Sequence, residues 1–173
     1  MLEMMIKTEK GVYGLTFQHS LRSVADWEEK YGKPFLSIRP EHEKTQDELI
    51  DYYRMMGRPW VTLEHLAFLT IEEFEKLNEH INAKATATWF KEDPNQKKDE
   101  RIITAEVVYG WMFELGIPEY AENWHFNKLM TLIRVMSEQR NPDKDKRKMS
   151  KSEILARNKA LNEKRRAQMN SKG

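Results

Sequence analysis

The sequence predicts a mainly α fold: an N-terminal β-hairpin, a compact helical domain, and a basic, partly mobile C-terminal helix. Three observations carry this. Apolar residues recur at three- and four-residue spacing through most of the 173 residues. Ser/Thr-x-x-Glu signatures, in which a hydroxyl and a carboxylate reciprocally satisfy early backbone N–H groups, precede three of those runs. The first 18 residues follow a different pattern, with two short apolar-rich segments flanking a glycine turn.

The hairpin is expected over about 3–18, its strands near Met4–Lys7 and Val12–Phe17 around Glu9-Lys10-Gly11. A helix follows from Ser20, with Leu21, Val24, Ala25 and Tyr31 on one face and Trp27 beside it. Gly32 and Pro34 stop it. Thr45-Gln-Asp-Glu48 opens a second helix striped by Leu49, Tyr52, Tyr53 and Met56 and ended by Gly57 and Pro59. Thr62–Phe68 reads as a short helical turn. Thr70-Ile-Glu-Glu73 opens a helix with Ile71, Phe74, Leu77 and Ile81 on one side.

Residues 85–90, ATATWF, alternate small and polar groups and read as extended. The charged stretch Lys91–Glu100 reads as an exposed loop. Ala105–Leu115 and Tyr120–Ser137 are apolar around most of their circumference, which predicts helices buried on several sides and the centre of the core. Gly116 and Pro118 mark the corner between them.

Character changes at Arg140, which divides the chain into a domain over 1–139 and a basic linker with a helix over 140–173. From Arg140 onward there are 12 Lys+Arg and four Asp+Glu, a net of +8. That leaves 17 of the 29 basic and 24 of the 28 acidic residues in the body, a net of −7, so the overall +1 conceals a strong asymmetry. Residues 141–148 form a charged linker. Ser150-Lys-Ser-Glu153 makes the third capping signature, before a helix over 151–169 with thin apolar content, which needs tertiary or partner contacts for stability.

Several chemistries lack their residues. No cysteine is present, which removes disulfides and thiolate chemistry. The first residues do not resemble a secretory signal, and no apolar run approaches a bilayer span. His19, His42, His65, His80 and His125 are scattered without helical metal-site spacing; His125, beside Trp124, reads as a core or boundary histidine. Glycine-rich phosphate loops and GxSxG are absent. Asp26, Glu28 and Glu29, like Glu72, Glu73 and Glu75, fall where solvated helix faces are expected. No catalytic residue, cofactor or metal ligand set is therefore expected.

Binding has better candidates. The tail carries Lys146, Arg147, Lys148, Lys151, Arg157, Lys159, Lys164, Arg165 and Arg166, suited to phosphate backbones or an acidic protein surface. No aromatic follows Phe126 to stack on bases, so base-specific readout is not expected, while non-specific attachment stays open. The expected partner-binding residues are Lys148, Lys151, Arg157, Leu161, Arg165 and Arg166. Among ten methionines, Met55, Met56, Met112, Met130 and Met136 could line an adaptable apolar groove, or simply fill the core.

Ala85–Phe90, Ile102–Met112, Ile117-Pro118, Trp124–Ile133 and Lys148–Asn162 together resemble a family of small tailed-phage proteins. His19–Val24, Asp26-Trp-Glu28 and Lys33–Leu36 fit the same family, so the likeness runs from about residue 17 onward. The family is that of the tail assembly chaperones of long-tailed phages and prophages. The resemblance implies a non-enzymatic protein of the bacterial host cytoplasm. It would bind the long, helical tape measure protein and keep it soluble while the tail tube polymerises. No motif-level contact residues come with the family. Association with further copies of the chain stays open, and no membrane partner is expected. The alternatives are a structural virion component, such as a head–tail connector or tail-completion protein, and a nucleic-acid-associated protein acting through its basic arm.

Overall fold

The computed structural model describes residues 1–57, 60–90, 101–140 and 151–169, and in the last span the side chains of 155–163 and 165. The chain divides into two compact units, Met1–Ser137 and Glu138–Gly173.

In the first unit, the alternating N-terminal sequence forms antiparallel strands β1 (Leu2–Thr8) and β2 (Gly11–Phe17), with Met4 opposite Leu15 and Ile6 opposite Tyr13. Strand side chains alternate between faces, so Met4, Ile6, Leu15 and Phe17 go inward while Glu3, Met5 and Lys7 face out.

The chain then turns helical at α1 (Leu21–Tyr31). Ser20 caps it and Ser23 reciprocates, while Gly32 ends it at φ +62, a conformation glycine adopts without a Cβ clash. Reciprocal capping also starts α2 (Gln46–Met56) through Thr45 and Glu48, α3 (Leu63–Leu66) through Thr62 and His65, and α4 (Ile71–Asn82) through Thr70 and Glu73. Then follow α5 (Ala105–Leu115), a 3-10 turn over Glu119–Asn123, and α6 (Phe126–Arg140), which extends into the second unit. That unit also contains α7 (Lys151–Met169), so the mainly helical fold with an N-terminal hairpin stands.

Four expectations need correction. The core is not centred on the two most apolar helices. α5 buries Ala105, Val108, Met112 and Leu115, but Phe113 is 86% exposed; α6 buries only Phe126, Leu129 and Ile133. The bulkiest fully buried side chains, Trp27, Tyr52, Phe17, Ile6 and Leu21, come from the hairpin, α1 and α2, and α5 and α6 add Val108 and Leu129 to them. Trp27 also donates its indole N–H to the Glu48 carbonyl at 2.9 Å, joining α1 to α2. Secondly, no helix runs through from Tyr120. Trp124 is extended, and His125 is held in a bridge with Ser20, so α6 starts at Phe126. Thirdly, Ala85 turns left-handed at φ +53 and the backbone bends at Thr86–Ala87, so 85–90 forms no strand. Its small side chains have little apolar surface to reward pairing. Finally, Ile71 occupies the first turn of α4 and is 80% exposed, leaving Phe74, Leu77 and Ile81 to face the core. Pro59, the 91–100 loop, the 141–148 linker and the Ser150 cap lie outside the described residues.

Gly57, at the end of α2, is a steric requirement. A Cβ there would stand 2.2 Å from Val61 Cγ2, 2.6 Å from Val61 Cβ and 3.3 Å from Phe17 Cε1. The Val61 Cβ is fixed to a backbone whose N–H is bonded to the Gly57 carbonyl at 3.1 Å. Gly57→Ala is therefore expected to cost about 1–3 kcal/mol by overpacking. Urea denaturation checks this, and an unchanged midpoint would contradict it.

Candidate functional site

Three histidines that sequence spacing left apart converge where β2 enters α1. Ser20 and His125 form an isolated antiparallel bridge, and Phe126 donates its backbone N–H to the His19 carbonyl at 2.8 Å. The His19 and His125 rings meet edge-on with centroids 5.5 Å apart. Those of His125 and His80 do the same at 4.9 Å. His125 Nε2 donates to the His80 carbonyl at 2.8 Å, while its Nδ1 accepts the Asn127 N–H at 3.3 Å, which fixes the Nε2–H tautomer. Asn127 Nδ2 donates to the carbonyls of Ile81 and Ala83 at 3.0 and 2.8 Å. Helix ends leave carbonyls without intrahelical partners. Here the His125-Phe-Asn127 segment satisfies those at the end of α4.

On the other side of His19 lies a hydroxyl chain. Ser23 Oγ donates to the Ser20 carbonyl at 2.9 Å and accepts the Ser20 N–H at 3.0 Å. The Tyr52 hydroxyl stands between this serine and His19, hydrogen-bonded to His19 Nδ1 and 3.5 Å from Ser23 Oγ. Burial, reinforced by His125 and His80, pushes His19 down to about 3. Burial and His125 push His80 down to about 4. The Tyr52 phenol is pushed up by burial. These groups do not form a nucleophilic triad, because Tyr52 separates Ser23 from His19 and Ser23 gives its proton to a carbonyl. Among the described residues no cluster of three or more His, Asp or Glu is arranged to hold a metal ion. The arrangement ties the hairpin–helix joint to α4 and α6.

Two carboxylates brace the same unit. Glu28, expected on a solvated face, is 7% exposed. It accepts the backbone N–H groups of Phe35 and Ala105, each at 2.6 Å. Thr104 supplies no side-chain cap to α5, so the Glu28 carboxylate serves as one. Burial pushes Glu28 up from the usual range, against the pull of those two N–H groups. Asp26 is also largely covered and pairs with Arg22 at 3.5 Å, which leaves Glu29 as the exposed member of that cluster. Asp51 receives Lys30 and Arg54 at 2.6 Å and the Tyr31 hydroxyl at 3.0 Å. Burial alone would raise its pKa, but these donors hold it at about 2.

Of the expected partner-binding residues, Arg157, Leu161 and Arg165 are exposed and spaced by four along one side of α7. Lys151 and Arg166 lie in α7, with side chains outside the described ones, and Lys148 is outside altogether. The methionine groove does not form as expected. Met55, Met56 and Met112 are buried in the core, while Met130 and Met136 are partly covered. The exposed apolar groups of the first unit are others, among them Ile38, Ile71, Trp60 (79% exposed), Trp89 and Phe113. Phe113 lies with Val107 and Gly110 on the side of α5 opposite Val108, Met112 and Leu115. No helix among the described residues is long and apolar enough to cross a membrane. Compared with family models, curated proteins and solved structures, the chain matches none.

Proposed function

We propose that this chain is a non-enzymatic chaperone of phage tail assembly that binds and solubilises the tape measure protein in the host cytoplasm. The observation that carries a binding role is the exposure of large apolar side chains on the first unit, above all Phe113 and Trp60. Exposed apolar surface rimmed by polar groups marks interaction sites, and Phe113 stands among Glu106, Gly110 and Glu114. The client is named by the sequence resemblance alone. The stripe Arg157–Leu161–Arg165 supports a second contact, in which α7 docks on the client through one apolar and two cationic groups.

Co-expression with the tape measure protein tests this reading. Soluble, co-purifying client is expected with the full chain, and insoluble client in its presence would refute the role. Truncation after Gln139 is expected to reduce client solubility; full solubility with the shortened chain would remove the arm from the mechanism. Mass spectrometry of purified virions separates this from a structural virion role, because a chaperone should be missing from the particle. The exposed cations of α7 also support a nucleic-acid role as second reading. Gel shifts over a salt series decide it, and absence of binding at low salt ends it.

A further inference from the structure

Among the described residues, β1 and β2 pair only with each other. Their connection is two residues, Glu9 and Lys10, which makes Thr8 and Gly11 the closing, doubly hydrogen-bonded pair. Alternation then sends the N–H and C=O groups of Leu2, Met4, Ile6 and Thr8 toward β2. Those of Glu3, Met5 and Lys7 point away from it. All three of these residues are exposed, Met5 by 67%, and no backbone hydrogen bond reaches them from another described element. An open edge of this kind is a template for another strand.

We propose that β1 pairs edge to edge with β1 of a second copy of this chain, antiparallel about a two-fold axis at Met5, to form a four-stranded sheet. The occupant follows from charge and parity. In this register each outward-pointing residue meets an outward-pointing residue, as the ladder requires. Glu3 stands opposite Lys7 of the second copy, Lys7 opposite its Glu3, and Met5 opposite its Met5. On the inner face Met4 stands opposite Ile6, so the two apolar layers continue across the seam. A shift of two residues in either direction sets Glu3 or Lys7 opposite Met5 and loses both ion pairs. The segment Leu2-Glu-Met-Met-Ile-Lys-Thr8 is thus self-complementary in one register, as an isologous interface demands. This goes beyond the chaperone reading and does not depend on it.

Sedimentation velocity of the full chain over a concentration series tests the pairing. A reversible dimer is expected. Glu3→Lys and Lys7→Glu each place like charges opposite one another twice, and each is expected to raise the dissociation constant about tenfold or more. An equimolar mixture of the two variants is expected to restore association, because the lysine-bearing edge then meets the glutamate-bearing one. A wild-type chain that stays monomeric up to roughly the hundred-micromolar range, a concentration typical of weak complexes, overturns the proposal. So does undiminished dimerisation of both single variants. Both side chains are exposed, and thermal melting checks that the variants fold. Met5→Cys gives an independent measure, since the chain has no other cysteine. Facing Cα atoms in such a pair lie about 5.5 Å apart, within disulfide reach, so oxidation is expected to yield a covalent dimer. Failure to cross-link under conditions where the wild type dimerises overturns the register.

Discussion

Glu28→Ala is expected to destabilise the folded chain by about 3–5 kcal/mol, since it strands the buried Ala105 donor and the partly buried Phe35 donor at about 1–3 kcal/mol each and leaves a cavity. The Ala105 N–H is the first of α5, and no side chain of Thr104 stands ready to replace the carboxylate. The Phe35 N–H belongs to the segment that follows α1, where Phe35 packs against Tyr52 with ring centroids 4.1 Å apart. Loss of one residue therefore loosens the start of α5 and the aromatic cluster together. Glu28→Gln separates charge from geometry. Its amide oxygen can accept one N–H, but its NH2 group faces the other donor, so an intermediate loss of about 2 kcal/mol is expected. Urea denaturation followed by far-UV circular dichroism measures both variants. If Glu28→Ala unfolds at the wild-type midpoint, the carboxylate is not the cap of α5.

Glu28 also shows where sequence reading succeeds and where it stops. The capping partners Thr45–Glu48 and Thr70–Glu73 stand three residues apart, so the chain records them locally, and Gly32 marks its own left-handed turn. The hairpin itself likewise follows from its alternation, although its connection is two residues, Glu9 and Lys10, where the sequence pattern sets Gly11 in the turn as well. Glu28 instead depends on Ala105, 77 residues away. With no such partner visible, a carboxylate among Asp26 and Glu29 reads as solvated, because burying an unpaired charge is costly. The two most apolar helices misled in the opposite direction. Periodicity names a face only where polar residues mark its boundary, and on α5 nothing in Val107, Trp111, Met112 and Phe113 says which side stays open. Met112 went inside and Phe113 outside because α1 covers one side alone. The histidine cluster left no linear trace, since His19, His80 and His125 sit on three separate elements.

That cluster predicts the pH dependence of stability. Acidification from pH 6.5 to 5 is expected to cost the fold about 2 kcal/mol through His19 alone, at about 1.4 kcal/mol per pH unit for one withheld proton. In the unfolded chain both His19 and His80 titrate near 6.5. In the folded chain they are held at about 3 and about 4. Their contribution is complete above about pH 6.5 and is lost as pH falls toward those folded values, because the unfolded chain takes up protons that the folded chain refuses. The refusal has a geometric cause. His19 Nδ1 is hydrogen-bonded to the Tyr52 hydroxyl, the backbone N–H of His19 points at His80 Nε2 at 3.5 Å, and His125 stands against both rings. A second proton on either ring is therefore opposed by burial and by a neighbouring imidazole. Asp51, held at about 2, titrates below this window, while Glu28, pushed up by burial, acts in the opposite direction to the histidines. Denaturant titrations at fixed ionic strength between pH 7 and 5 are expected to show unfolding coupled to uptake of close to two protons near pH 5. His80→Gln, at a partly exposed position, is expected to reduce that uptake to about one, by removing one of the two titrating groups. A flat stability profile from pH 7 to 5, or an unchanged slope in His80→Gln, would show that these rings do not exclude protons in the folded chain.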